Sequence, residues 1–174
     1  EMASEGFNLL EQKREILVME LMRLLNRIKS VQADLHRRRN AAYVTLRKAI
    51  AQNGYNHARN IASGICYEHS ISTDQRLTAG VRTPVINVQH GQFHSQYGFV
   101  GTDSLIDQTM MDFLKLLEVI AQVAELENTI ILLARELKKA QRRVNALEHI
   151  FIPSFKDTLH YIAEVLESKD LDSF

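Results

Sequence analysis

The chain has 174 residues, 21 of them basic and 21 acidic, so it carries no strong net field. That balance argues against nucleic acid or an acidic membrane surface as the main partner. The single cysteine, Cys66, excludes an internal disulfide and fits a reducing, cytoplasmic setting. No apolar run approaches the roughly 20 residues that cross a bilayer. The opening "EMASEGF" lacks the basic-then-apolar pattern of a leader. With only two prolines and seven glycines, the chain is expected to form few, long elements.

From Phe7 to about Cys66 the pattern is helical. Leu17, Leu21, Leu24, Ile28, Val31 and Leu35 alternate four- and three-residue steps, the spacing of a heptad seam. The seam turns polar at "HRRRN" and resumes at Ala42, Leu46 and Ala49. Gly54 costs about 1 kcal/mol relative to alanine inside a helix, and the helix is expected to run through it. After Gly64, "SISTDQRLTAGVRTPVINVQ" has β-branched residues in partial alternation and reads as a short hairpin around Ala79–Gly80, with Pro84 tolerated at an edge or bulge. "HGQFHSQYGFVGT" then reads as loop.

A second long helix is expected from about Thr102–Ser104, capped by Thr102 or Asp103. Its seam runs through Leu116, Val119, Val123, Leu126, Ile130, Leu133, Leu137, Ala140, Val144, Leu147 and Phe151, all apolar. At 1.5 Å per residue that is roughly 50 Å. Phe113, Leu117, Ile120 and Ile131 widen the stripe early on, where more than one neighbour could pack. Beyond Leu147 the apolar residues are Phe151, Phe155, Leu159, Ile162 and Leu166, in steps of four, four, four, three and four. Consecutive four-residue steps form a stutter, which unwinds a left-handed supercoil. Pro153 falls there, so the helix is expected to continue through it with a local bend.

The pattern predicts a mainly α fold: a long antiparallel two-helix coiled-coil hairpin with a small β-hairpin and loop insert at the end opposite the termini. The parts are 1–67, 68–101 and 102–174.

Candidates for chemistry are sparse. His90 and His94 have i, i+4 spacing without the glutamate of H-E-x-x-H or a third ligand, so no metal is expected. "GFVGT" lacks the lysine of a phosphate-binding loop, and no serine sits in an elbow motif. Glu127 and Glu136 flank the stripe, where a carboxyl is either raised in pKa or paired with a base. Catalytic residues and cofactors are therefore not expected. The clusters "RRR" (37–39) and "KKAQRR" (138–143) read as solvated helix faces or as docking patches for an acidic partner. Lys138, Lys139 and Arg142 fall opposite the seam and point outwards.

At "RRVNALEHIFIP" (142–153) the chain closely resembles the D subunit of the V-type and A-type rotary ATPases. "TLHYIAEVLE" (158–167), "LLEQKREIL" (9–17) and "YGFVGTDSLID" (97–107) fit the same family in the same order. The resemblance covers nearly the whole chain and is loosest over 68–96. The family has further helix before the position of Gly6 and a basic tail beyond Phe174. The resemblance implies a central rotor shaft without a nucleotide site, peripheral on the cytoplasmic side of a membrane. Its implied partners are the A and B subunits of the catalytic hexamer, the small F subunit, and the funnel-shaped d or C subunit on the membrane ring. On that reading Arg142, Arg143, Asn145 and Glu148, with Lys13 and Arg14, form part of the surface facing the hexamer. Arg143 and Glu148 flank the seam and equally suit a bridge to the first helix. A non-motor helical-hairpin adaptor also explains the heptads, but not the co-occurrence of these motifs.

Overall fold

The computed structural model describes residues 2–65, 69–91 and 104–172. Cys66, His94 and the expected caps Thr102 and Asp103 lie outside them. In chain order the elements are α1 (Met2–Asn53), α2 (Tyr55–Gly64), β1 (His69–Thr78), β2 (Val81–His90), α3 (Ser104–Ala146), a π-helical turn (Leu147–Phe151) and α4 (Ile152–Asp172). The fold is thus a long helix pair with a two-stranded antiparallel hairpin. It divides into two compact units, one of Arg23–Ile131 and one of Glu1–Met22 with Leu132–Phe174.

In the unit Arg23–Ile131, Leu24, Ile28, Ala42 and Ala49 of α1 are buried, as are Ile106, Leu116, Val119, Val123 and Leu126 of α3. The two helices run antiparallel. The Tyr43 ring meets Phe113 edge-on at 5.7 Å, and beside it Thr45 Oγ1 donates to Asp112 Oδ2 at 3.0 Å. Asp112 Oδ1 also accepts from Gln108 Nε2 at 2.8 Å, so both its oxygens are engaged.

Contrary to the expectation of an unbroken first helix, the helix stops at Gly54, where φ is +81° and ψ 148°. Side chains are strained in that region, so glycine allows the break there. Flanking hydrogen bonds persist, from Gly54 N to Ile50 O at 2.8 Å and from Ala58 N to Gly54 O at 3.1 Å. The segment beyond is therefore redirected rather than melted.

The hairpin turns at Ala79 (φ +49°) and Gly80 (φ +75°), the two positive φ values of a type I′ connection, which matches strand twist. Its register pairs Thr78 with Val81 and His69 with His90. β2 buries Val81 and Thr83, whereas β1 is exposed from His69 to Leu77.

In the unit of Glu1–Met22 and Leu132–Phe174, Leu17, Leu133, Ala140 and Val144 are almost fully buried. Burying a side chain such as leucine stabilises by about 1.5–3 kcal/mol. The π-helical turn then interrupts the helix, with Ile152 N–H bonded to Leu147 O, five residues back. A π-turn takes up one extra residue, which is what two successive four-residue steps add to a heptad. The stutter and the turn coincide. Beyond it the apolar stripe continues unburied: Phe155, Leu159, Ile162 and Leu166 are 47–66 % exposed.

Candidate functional site: charged faces and apolar grooves

The cluster 37–39 and Glu127 lie in Arg23–Ile131, where Arg37 and Arg38 both pair with Asp34. The residues expected to face the hexamer all fall in the unit of Glu1–Met22 and Leu132–Phe174. There α1 contributes Arg14, Glu15, Val18 and Met19 to an open groove, and α3 contributes Leu137, Lys138 and Arg142 among others. The floor is apolar and the rim charged. Lys13, Lys138, Lys139, Arg142, Arg143, Asn145 and Glu148 are exposed, and Arg14 is half-buried.

Their pairings are local. Arg14 Nη2 bonds Glu11 Oε1 at 3.0 Å and Lys139 Nζ bonds Glu136 Oε1 at 2.6 Å, each within one helix turn. Asn145 Oδ1 accepts from Gln141 Nε2 at 2.8 Å. Glu148 Oε2 lies 3.7 Å from His149 Nε2. Lys13, Lys138, Arg142 and Arg143 make no ion pair among the described residues. The Lys139 hydrogen bond holds the Glu136 carboxyl below its ordinary value, against a smaller desolvation effect, and the charges of Lys139, Lys13 and Arg143 add to it. Of the two alternatives for a glutamate beside the stripe, Glu136 takes the paired one. Arg143 therefore acts on Glu136 of its own helix by field, as does Lys13 from α1.

The seam residues grade along the chain. Leu17, Leu24, Ile28, Leu126, Leu133 and Val144 are buried; Leu21, Val31, Leu35, Ile130, Leu137 and Leu147 are half-buried; Phe151, in the π-turn, is 49 % exposed. Phe151 stacks instead near Phe155, with ring centroids 6.4 Å apart. Pro153 is exposed, one residue after Ile152 begins α4.

The unit Arg23–Ile131 has a second concavity of ≈ 680 Å³, lined by Leu46 and Ala49 of α1, Ile61 and Ala62 of α2, and Leu114 and Leu117 of α3 among others. Its wall is almost wholly apolar, and on its outer side Tyr43 and Ile120 are about half exposed. It has the character of a docking groove for an apolar helix face, not of a reaction site with convergent polar groups.

Three contacts of the hairpin with α3 are invisible in the sequence. Glu125 Oε2 accepts the backbone N–H of Ile86 at 3.1 Å, and its Oε1 lies 3.5 Å from Arg76 Nη2. At the hairpin's base His69 Nδ1 and His90 Nδ1 are 3.3 Å apart, and His90 Nε2 is 3.3 Å from Glu118 Oε1. That last approach is off the direction a hydrogen bond needs, and the buried Nε2 has no hydrogen-bond partner. Among the described residues no three histidine, cysteine, aspartate or glutamate side chains are placed to hold a metal. No helix of the described residues is long and apolar enough to cross a membrane.

A helix pair whose outward chemistry is grooves and charged faces defines a class of helical-hairpin proteins that act through partner surfaces. The profile of the ATP synthase D subunit family matches residues 1–174, and the chain belongs to that family. It is 36 % identical to the V-type ATP synthase D subunit of Thermotoga neapolitana, over 95 % of this chain and 82 % of the relative. It is 33 % identical to the A-type ATP synthase D subunit of Methanosphaera stadtmanae, over 98 % of this chain and 82 % of that one. Identity to the second V-type ATP synthase D subunit of Treponema pallidum is 34 %, at 99 % and 82 % coverage. The chain is thus a stalk component of a V/A-type rotary ATPase complex and works with other subunits.

Proposed function

We propose that this chain is the central rotor shaft of its complex. In this reading it couples ATP hydrolysis or synthesis in a hexamer of A and B subunits to ion translocation by a membrane ring. The observation that carries the reading, beside family membership, is the seam of buried apolar side chains shared by α1 and α3. Torque needs two strands that neither bend nor slip, and close-packed apolar side chains resist sliding. The chain needs no active site or cofactor of its own for this task.

The charged rim of Lys13, Arg14, Lys138, Lys139, Arg142, Arg143, Asn145 and Glu148 is the surface offered to the A and B subunits. Exposed ion pairs are typically worth about 0–1 kcal/mol. Weak contacts suit a face that must meet a different catalytic interface at each step, because deep wells would stall it. The apolar groove of Arg23–Ile131 suits the F subunit, which would cover Ile120 and Tyr43. The d or C subunit on the ring completes the partner set, with the whole peripheral on the cytoplasmic side.

The test is charge reversal at the rim. Lys138→Glu with Arg142→Glu, two rim residues without an ion pair among the described residues, should lower coupled turnover severalfold while leaving helix content and melting of the isolated chain unchanged. Unchanged turnover in the assembled enzyme removes these residues from the hexamer contact.

A further inference from the structure

The hairpin has two edges, and they are treated differently. Next to a two-residue turn the flanking pair Thr78–Val81 is hydrogen-bonded, and bonded and non-bonded pairs then alternate along the register. The inward groups of β1 therefore belong to Ser70, Ser72, Asp74, Arg76 and Thr78. The outward N–H and C=O groups belong to Ile71, Thr73, Gln75 and Leu77. On β2 the same rule turns Ile86 outward, and its N–H is indeed taken by Glu125 at 3.1 Å. Pro84, also outward, has no N–H to offer.

Among the described residues β1 has no such cover. No backbone hydrogen bond from another described residue reaches its outer edge. Ile71 and Leu77 are 62 % and 69 % exposed, and they share one face with Thr73 and Gln75. Natural proteins guard a long edge with lysine, proline or a bulge. The outward positions of β1 carry none of these.

We propose that β1 is a docking edge that accepts an extended segment from another subunit of the complex as a third strand. The unpaired donors and acceptors specify the occupant: a strand spanning Ile71 to Leu77, about 20 Å at 3.3 Å per residue. It bears an apolar side chain at either end of one face, small neutral residues between them, and no carboxylate opposite Asp74. Main-chain bonds supply affinity and the two apolar positions supply register, as in other strand additions. A second copy of this chain fits poorly. The two-fold register that sets Ile71 against Leu77 of the other copy also sets the two Asp74 carboxylates face to face, and like charges directly opposite destabilise a sheet. Slipping the register to pair Asp74 with Arg76 leaves Ile71 against the turn.

The proposal rests on membership of the complex and not on rotation, so it and the rotor reading fail independently. Residue-resolved amide exchange of the isolated chain and of the assembled ATPase tests it. In the isolated chain the N–H groups of Ile71, Thr73, Gln75 and Leu77 should exchange freely, while those of Ser72, Asp74 and Arg76 are slowed. Assembly should slow the outward set at least about tenfold and leave the inward set little changed. Thr73→Pro removes one outward donor at an edge position that tolerates proline. It should keep inward protection in the isolated chain and lose most of the gain on assembly. Outward groups that still exchange freely in the complex overturn the proposal. So does protection that rises equally at inward and outward positions, protection that appears in the isolated chain as concentration rises, or a Thr73→Pro chain that gains full protection.

Discussion

Pro153 has no N–H to offer the carbonyl of His149, four residues earlier, and a proline ring crowds that carbonyl in a regular helix. The π-turn of Leu147–Phe151 widens the helix where this conflict arises. Pro153→Ala supplies the missing donor, so the turn should close to α geometry, with unchanged or higher helix content by circular dichroism. Apolar side chains beyond it should then rotate by about 100° relative to those before it, the angle of one residue. A crystal structure of the variant that retains the π-turn would show that proline is not its cause. Acid titration works on single residues too. Asp34 is held below its ordinary value, first by its hydrogen bond to Arg37 and then by that to Arg38, whose Nε lies 2.9 Å away. A depressed folded pKa stabilises above the unfolded value of 3.8 and ceases to do so as pH falls through the folded value. Asp34→Asn should therefore melt slightly below the parent chain at neutral pH and together with it in acid well under pH 3.8. A gap that persists in acid would mean the aspartate acts by something other than its charge.

At the scale of elements, what the sequence made legible was what repeats locally. The heptad steps of α1 and α3 lie in the spacing of leucines and valines, and the hairpin in its β-branched runs around Ala79–Gly80. The stutter announced a change of winding near Pro153, though not that a π-turn would take it up. The break at Gly54 was not legible, because glycine permits φ of +81° without demanding it. The clamp of Glu125 on Ile86 and the His69–His90–Glu118 cluster join residues far apart in the chain, and no spacing signals them. The candidate rim residues could be picked by charge and helical phase, but their pairings within one turn could not. Two substitutions probe the elements. Gly54→Ala should cost about 1–3 kcal/mol in urea unfolding while the break persists. Equal or greater stability would mean that α1 and α2 merge once a side chain is present. Leu133→Ala, at a fully buried position, should cost about 2–5 kcal/mol, and Leu159→Ala, 66 % exposed, should cost little in the isolated chain. If both cost the same, α4 packs its apolar stripe in solution.

Charge and apolar surface together decide how the whole molecule binds. With 21 charges of each sign it has no long-range field to draw partners in, and salt at about 0.15 M already screens exposed charges beyond about 8 Å. Its unburied apolar surface is extensive: the stripe of Phe155, Leu159, Ile162 and Leu166, and the rim of the groove at Tyr43 and Ile120. Apolar burial contributes roughly 25 cal/mol per Å², far more over such stripes than a few screened ion pairs. Holding the chain in its complex should therefore depend more on these stripes than on the charged rim. Raising salt from about 0.05 to about 0.5 M should leave the assembly intact on size exclusion, since screening acts on charges and not on apolar contacts. Leu159→Ala with Ile162→Ala should instead weaken retention in the complex at both salt concentrations, with the isolated chain still folded. Dissociation by salt alone, with the double alanine variant retained as firmly as the parent, would reverse this assignment and make the charged rim the main anchor.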